Sequence, residues 1–297
     1  MTVRASRVEW PTLVLLVACY GAWALGTTWI TSVSLVLGIA VTGVAIGLFS
    51  SLQHEVLHGH PLPGRWQSEA LVFPGLTIYV PYLRFRDSHL DHHRDANLTD
   101  PYDDPESNYL DPAVWARLPR VLQAVLMFNN TLAGRLLIGP LISIITFGIG
   151  DARAAGAGDA RVLRGWLWHI PALALVFWWL VALAAMPVWA YLIAAYIGFA
   201  LIKIRTFLEH QAHERASGRT VIIEDRGPLS YLFLNNNLHV VHHMHPRVPW
   251  YRLPKLYLAN RERYIARNDG YVYRSYAQIF RRHFLRRKDQ VPHPLWR

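Results

Sequence analysis

Apolar residues in this chain gather into long runs separated by polar, proline-bearing stretches, and the longest runs come in pairs. Pro11 to Leu25 and Val33 to Leu52 form the first pair, joined by Gly26-Thr-Thr-Trp-Ile-Thr, a length that suits a helical hairpin. Trp166 to Ala185 and Val188 to Ile204 form the second, hinged at Met186-Pro187. About 20 apolar residues span a hydrocarbon core, so the pattern predicts four transmembrane helices, over about 11–27, 33–53, 165–185 and 188–207. Two further runs fall short. Leu71 to Leu83 has 13 residues and carries Pro74, Gly75 and Pro81, which break a helix, so 71–83 is expected to be re-entrant or interfacial. Leu132 to Ile149 is interrupted by Arg135, Gly139 and Pro140.

Composition supports the membrane reading: 53% of residues are hydrophobic and 17% charged. A formal charge of +10 reflects arginine-rich segments suited to the cytoplasmic side and to anionic headgroups. No polar scaffold for a groove-reading module accompanies it, so nucleic acid is not expected as a partner. Arg4 and Arg7 favour a cytoplasmic N-terminus, and a second long run follows the first without a convincing cleavage site, so the first is read as a retained helix. Between Arg247 and Arg297 thirteen Lys or Arg stand against three Asp or Glu. That makes 247–297 a basic cytoplasmic tail, either a solvated face or a docking surface for an acidic redox partner. The single cysteine, Cys19, excludes an internal disulfide and a multi-thiolate metal site. The expected fold is an all-α integral membrane protein of one domain, multi-pass in a bacterial inner membrane, with four transmembrane helices in two hairpins and a cytoplasmic histidine-rich helical cap.

Chemistry enters with the histidines. His239, His242 and His243 stand at i, i+3 and i+4, on one helical face; His89, His92 and His93 repeat the spacing, and His54 and His58 lie one turn apart. Three converging imidazole faces offer more nitrogen than one ion accepts, so two metals are the natural count. His210, directly after the fourth long run, is a candidate ninth ligand and His213 its competitor. Sharing a site requires His54, His89 and His210 on one side of the membrane. The second long pair already supplies an even number of crossings, so 132–149 is expected to lie along the interface without crossing. Glu55, Asp91 and Glu209 flank these histidines and are candidates to orient their rings. His245 is placed beside the third cluster and His60, before Pro61, past the end of its helix, whereas His169, His283 and His293 read as ordinary. His54-Glu55-Val56-Leu57-His58 also fits a zinc-hydrolase signature, but that mechanism leaves two clusters without a use.

His54-x-x-x-His58, His89-x-x-His92-His93 and His239-x-x-His242-His243, set between two hydrophobic hairpins, resemble the histidine boxes of the integral-membrane fatty acid desaturase and hydroxylase superfamily, over roughly residues 35 to 255. The resemblance implies a non-haem di-iron centre on the cytoplasmic side that activates O2 and breaks an unactivated C–H bond. It carries the eight box histidines over as ligands of two Fe ions. His210 matches the extra histidine of the alkane-hydroxylase and carotenoid-ketolase branches. Thr206 stands where acyl-CoA desaturases carry an asparagine four residues before that histidine. With no haem-binding His-Pro-Gly-Gly and no cysteine set, electrons are expected from an external ferredoxin- or rubredoxin-type donor and its reductase. Desaturation or hydroxylation of a fatty-acyl or other lipid-like substrate is the expected activity. Oxidation of a small polar metabolite, for example by demethylation, is the alternative.

Overall fold

The computed structural model describes residues 8–93 and 97–296; Arg4 and Arg7, which orient the N-terminus in the sequence reading, lie outside the described residues. The principal helices are α1 (Trp10–Leu25), α2 (Leu35–Leu57), α3 (Tyr82–His92), α4 (Gly139–Gly156), α5 (Ala160–Ala182), α6 (Val188–Thr206), α7 (His239–Met244) and α8 (Tyr276–His283). Among the described residues, four helical segments are long and apolar enough to cross a membrane: α1 with its continuation to Val33, α2, α5 and α6. The protein is therefore an all-α membrane protein, with a single short strand pair among the described residues. Its chain divides into two compact units, Met1–Arg86 with Pro140–Ile202, and Asp87–Gly139 with Lys203–Arg297.

In the first unit the helical hairpin turns later than the sequence pattern suggests. Gly26–Ile30 keeps helical winding as a π turn, and the break falls at Ser34. The threonines explain this: Thr27, Thr28 and Thr31 return their hydroxyls to the carbonyls of Trp23, Ala24 and Gly26 at 2.9, 2.7 and 2.7 Å. Carbonyls that the wider turn leaves open are thus satisfied without water. Ser34 then caps α2 by accepting from the Leu37 amide. Asp159 does the same for α5, accepting from Arg161 and Val162.

The interrupted run 71–83 is non-helical between Val72 and Pro81. Irregular backbone in an apolar setting needs partners, since unmet carbonyls cost several kcal/mol. Side chains of the long helices supply them. Tyr20 donates to the Leu71 carbonyl at 2.8 Å, Tyr191 to Leu76 at 2.8 Å, and His169 Nε2 to Ile78 at 2.9 Å, while the Gly75 amide donates to Ala172 at 3.1 Å. The run 132–149 becomes two helices, Leu132–Leu137 and α4, split at Ile138.

Small residues bring α2 and α6 together. A Cβ at Gly198 would stand 2.8 Å from Ile46 Cγ2 and 2.9 Å from the Gly43 carbonyl, and one at Gly43 2.9 Å from Ile197. Backbone cannot retreat as a side-chain end can. Gly198→Val is expected to destabilise this pair by about 1–3 kcal/mol, read as a lower melting temperature of the purified protein; an unchanged melting point would contradict the close approach.

The second unit carries further short helices and a two-residue parallel pair, β1 (Ile222–Ile223) and β2 (Val272–Tyr273), in register Ile222 to Val272. Its apolar core gathers Ile222, Leu238, Val240, Val241, Leu253, Tyr257 and Tyr264. Val240 and Val241 of α7 enter that core, which fixes the face of the helix on which His239, His242 and His243 must lie.

Candidate metal centre

Seven histidines of the second unit converge. His92, His210, His239 and His243 each offer a nitrogen within 4.8 Å of the others, as do His89, His93 and His242 among themselves. Within the first group, His210 Nε2 stands 2.9 Å from His92 Nε2 and 3.2 Å from His239 Nε2. In the second, His93 Nε2 stands 3.0 Å from His89 Nε2 and 3.2 Å from His242 Nε2. His243 stacks on His93 with centroids 4.3 Å apart. His54 and His58, in the first unit, face each other edge to face at 4.9 Å.

Which nitrogen points inward is set from outside. Asp104 Oδ1 accepts from His92 Nδ1 at 2.7 Å, Glu106 Oε1 from His89 Nδ1 at 2.9 Å, and Asn236 Oδ1 from His239 Nδ1 at 3.0 Å. A neutral imidazole that gives its proton at Nδ1 keeps a lone pair at Nε2. His92 and His239 both bring Nε2 to His210 Nε2, and His89, His93 and His242 bring theirs together likewise. Two ring nitrogens about 3 Å apart can share one proton, and a cation that displaces it is met by both lone pairs. The residues present thus fit a metal, with imidazole-rich donor sets suited to iron, copper, nickel or zinc.

Electrostatics follow the same layout. Burial lowers the His92 pKa, but Glu106 and Asp104 outweigh it and lift it to about 9. His210 and His239 lie well below the ordinary imidazole range, through burial first and their histidine neighbours second. Burial opposes ionisation of Glu106, yet His92 and His89 hold its pKa low. Glu209 is raised by burial, offset in part by Arg205, which it meets at 3.0 Å. Without a cation the group therefore keeps a proton at His92 that a bound cation would displace.

The loops that aim these rings carry their own signals. Asp104 is held by the Thr99 and Glu106 amides at 2.8 and 2.9 Å, so the acidic stretch after His93 folds back on its own histidine box. Before α7, Asn235 takes a left-handed φ of 55°, which asparagine tolerates; Asn237 donates to the Ile223 and Asp225 carbonyls, leaving Asn236 facing His239. Lys288, deep in the C-terminal segment, donates from Nζ to the His210 carbonyl at 2.7 Å. Tyr109 accepts from the Ala212 amide at 2.9 Å.

Other residues singled out from the sequence fall in different places. Glu209 reaches within 3.8 Å of His239 Nδ1. Glu55 stands 4.0 Å from Nε2 of His60, a residue past the helix end whose Nδ1 meets Glu9 at 2.8 Å. Asp91 is half-buried on α3, while the Nδ1 contacts of its neighbours go to Asp104 and Glu106. His213 is outside both groups, 3.2 Å from Asp269 and 28% exposed. His245 packs against Tyr264. Asp104, Glu106, Asn236, Tyr109 and Lys288 were not legible as site residues. The closest hints were acidic residues just past one box and an asparagine triplet just before another.

Comparison with known proteins agrees with this geometry. A family model described as fatty acid desaturase matches residues 27–277. A beta-carotene ketolase of Paracoccus sp. (strain N81106 / MBIC 01143) is 26% identical over 230 residues, 73% of this chain and 76% of the relative. A beta-carotene ketolase of Paracoccus sp. (strain PC1) is 26% identical over 228 residues, 72% and 75% of the two chains.

Proposed function

The chain belongs to the fatty acid desaturase family, and we propose that within it the protein is an O2-dependent, non-haem di-iron oxidoreductase that hydroxylates, or oxidises further to a ketone, an unactivated C–H position of an apolar, lipid-like substrate. The observation that carries this reading is His210, whose Nε2 lies between those of His92 and His239. Four residues before His210, Thr206 replaces the asparagine that acyl-CoA desaturases carry, which sets the chain nearer the hydroxylase-like and ketolase branches, and the two relatives above are named as ketolases.

In this reading His89, His93 and His242 serve one ion and His92, His210, His239 and His243 the other. His54 and His58 join the ligand complement on their His-x-x-x-His spacing. Two irons bound there would supply the redox cycling that reduces dioxygen and removes a hydrogen atom from carbon, which zinc cannot do. The protein's own part is to hold the rings. Asp104, Glu106 and Asn236 fix the Nδ1 protons, burial keeps bulk water away, and His92 yields its proton on loading. Cys19, buried and bonded to the Ala45 carbonyl, leaves no thiolate set for an iron–sulfur cluster, so a small iron–sulfur protein is the proposed electron donor. The basic segment 247–297 favours the cytoplasmic side.

Lipid profiling of cells with and without the protein tests the reaction. The expected product gains one oxygen atom, or gains one oxygen and loses two hydrogens; loss of two hydrogens alone would replace oxygenation by desaturation. About two zinc and no iron per chain, in protein from iron-replete cells, would overturn the di-iron reading.

A further inference from the structure

Behind His210 lies a file of aromatic rings that the reaction does not need. Tyr109 is 4% exposed and its ring stands 5.0 Å from that of His293; His293 stands 6.3 Å from Trp296, and Trp296 5.8 Å from Tyr102, which is 63% exposed. The file therefore runs from the interior to the surface. Its inner end is tied to the candidate metal centre through the Ala212 amide, two residues past His210. Lys288 sits 5.6 Å from the Tyr109 ring while bonded to the His210 carbonyl.

Packing alone does not account for the inner end. The Tyr109 hydroxyl donates to the Asp289 carboxylate, which is also held by Asn130 at 2.9 Å and by Lys288 at 3.7 Å. A phenol that loses an electron becomes a strong acid, and an ion left in a poorly solvated interior is costly. An acceptor already hydrogen-bonded to the phenol removes that cost. His293 is held as a neutral ring: Nδ1 accepts from the Leu295 amide at 3.2 Å, which leaves Nε2 to donate to Thr99.

We propose that Tyr109, His293 and Trp296 form a one-electron path that drains oxidising equivalents from the metal centre to the surface when O2 is activated without substrate, sparing the histidine ligands. The inference rests on the O2-dependent reading above. In the first step Tyr109 would lose one electron to an O2-oxidised metal pair held by these histidines and pass its phenolic proton to Asp289. In the second, Trp296 gives one electron across the His293 ring and releases its indole proton to solvent, while Tyr109 recovers its electron and, from Asp289, its proton. The net change is one electron gained by the metal pair and one neutral indole radical at the rim, which a thiol or the iron–sulfur donor reduces. The path does not serve donor electrons on their way in, because neither phenol nor indole accepts an electron from a biological reductant.

The test is to expose reduced, iron-loaded protein to O2 without substrate, freeze it at intervals, and record electron paramagnetic resonance spectra, with peptide mass spectrometry of the histidine boxes. Wild type is expected to give a transient tyrosyl radical. Tyr109→Phe should give none and accumulate several-fold more oxygen on the box histidines. Trp296→Phe, at the rim, should keep the radical but lengthen its life several-fold, an effect a purely structural role would not produce. Metal oxidation by O2 with no aromatic radical, the same radical in Tyr109→Phe, or an unchanged lifetime in Trp296→Phe would each overturn the path while leaving the oxygenase reading intact. Failure of O2 to oxidise the metal at all would instead remove that reading, and the path with it.

Discussion

His210→Ala is expected to hold about one iron per chain instead of two and to lose turnover. Its Nε2 is the atom that both His92 and His239 approach, at 2.9 and 3.2 Å, so the alanine variant leaves a gap in the middle of the donor set. Removing a partner that only orients a ligand costs roughly 10–100-fold in metal affinity or activity, and removal of the ligand itself should exceed that range. His213→Ala is the control. That ring bonds Asp269 and is 28% exposed, so metal content and activity should stay close to wild type. Metal analysis and turnover measured on both variants separate the two residues; two irons and full activity in His210→Ala would remove it from the site.

Asp104→Asn should show how much the outer partners matter. Asp104 accepts from His92 Nδ1 at 2.7 Å and, with Glu106, lifts that imidazole to about 9. Below about pH 9 the metal-free protein therefore keeps a proton on His92, and a cation must displace it. One displaced proton makes affinity rise about tenfold per pH unit up to that point and level off above it. Neutralising Asp104 removes part of what holds the proton, so the levelling moves to lower pH. It also frees the ring to turn, so affinity at high pH falls roughly 10–100-fold. Chelator competition across pH reads both effects. The same levelling point and affinity as wild type would mean that Asp104 does not govern this ring.

Much of this layout was legible from periodicity. Runs of unbroken apolar residues leave a helix no choice in a membrane, and the structure has four helices of that kind where the runs lie. The i, i+3, i+4 histidines share a face because helical geometry requires it, and two valines in the third box fix which face turns inward. Three features were not legible, for one shared physical reason. Asp104 and Glu106 act through a loop that folds back, Asn236 acts from a left-handed turn, and Lys288 and Tyr109 meet from opposite ends of the second unit's sequence. Contacts made by irregular backbone have no period to read. The hairpin turn was misplaced for a related reason: three threonine hydroxyls sustain a winding that apolar length alone does not reveal.

The contacts of Lys288 and its neighbours also set an order of events. Backbone pairs of Leu110 with Val291 and His293, together with the bond from Lys288 to His210, tie the loop after the second box to residues translated well after all three boxes. While those residues are still inside the ribosome, the helices that precede them can already enter the bilayer, but the rings of the second unit lack their final brace. A chain stalled before Lys288 is therefore expected to carry all the box histidines while the segment around His210 lacks this brace.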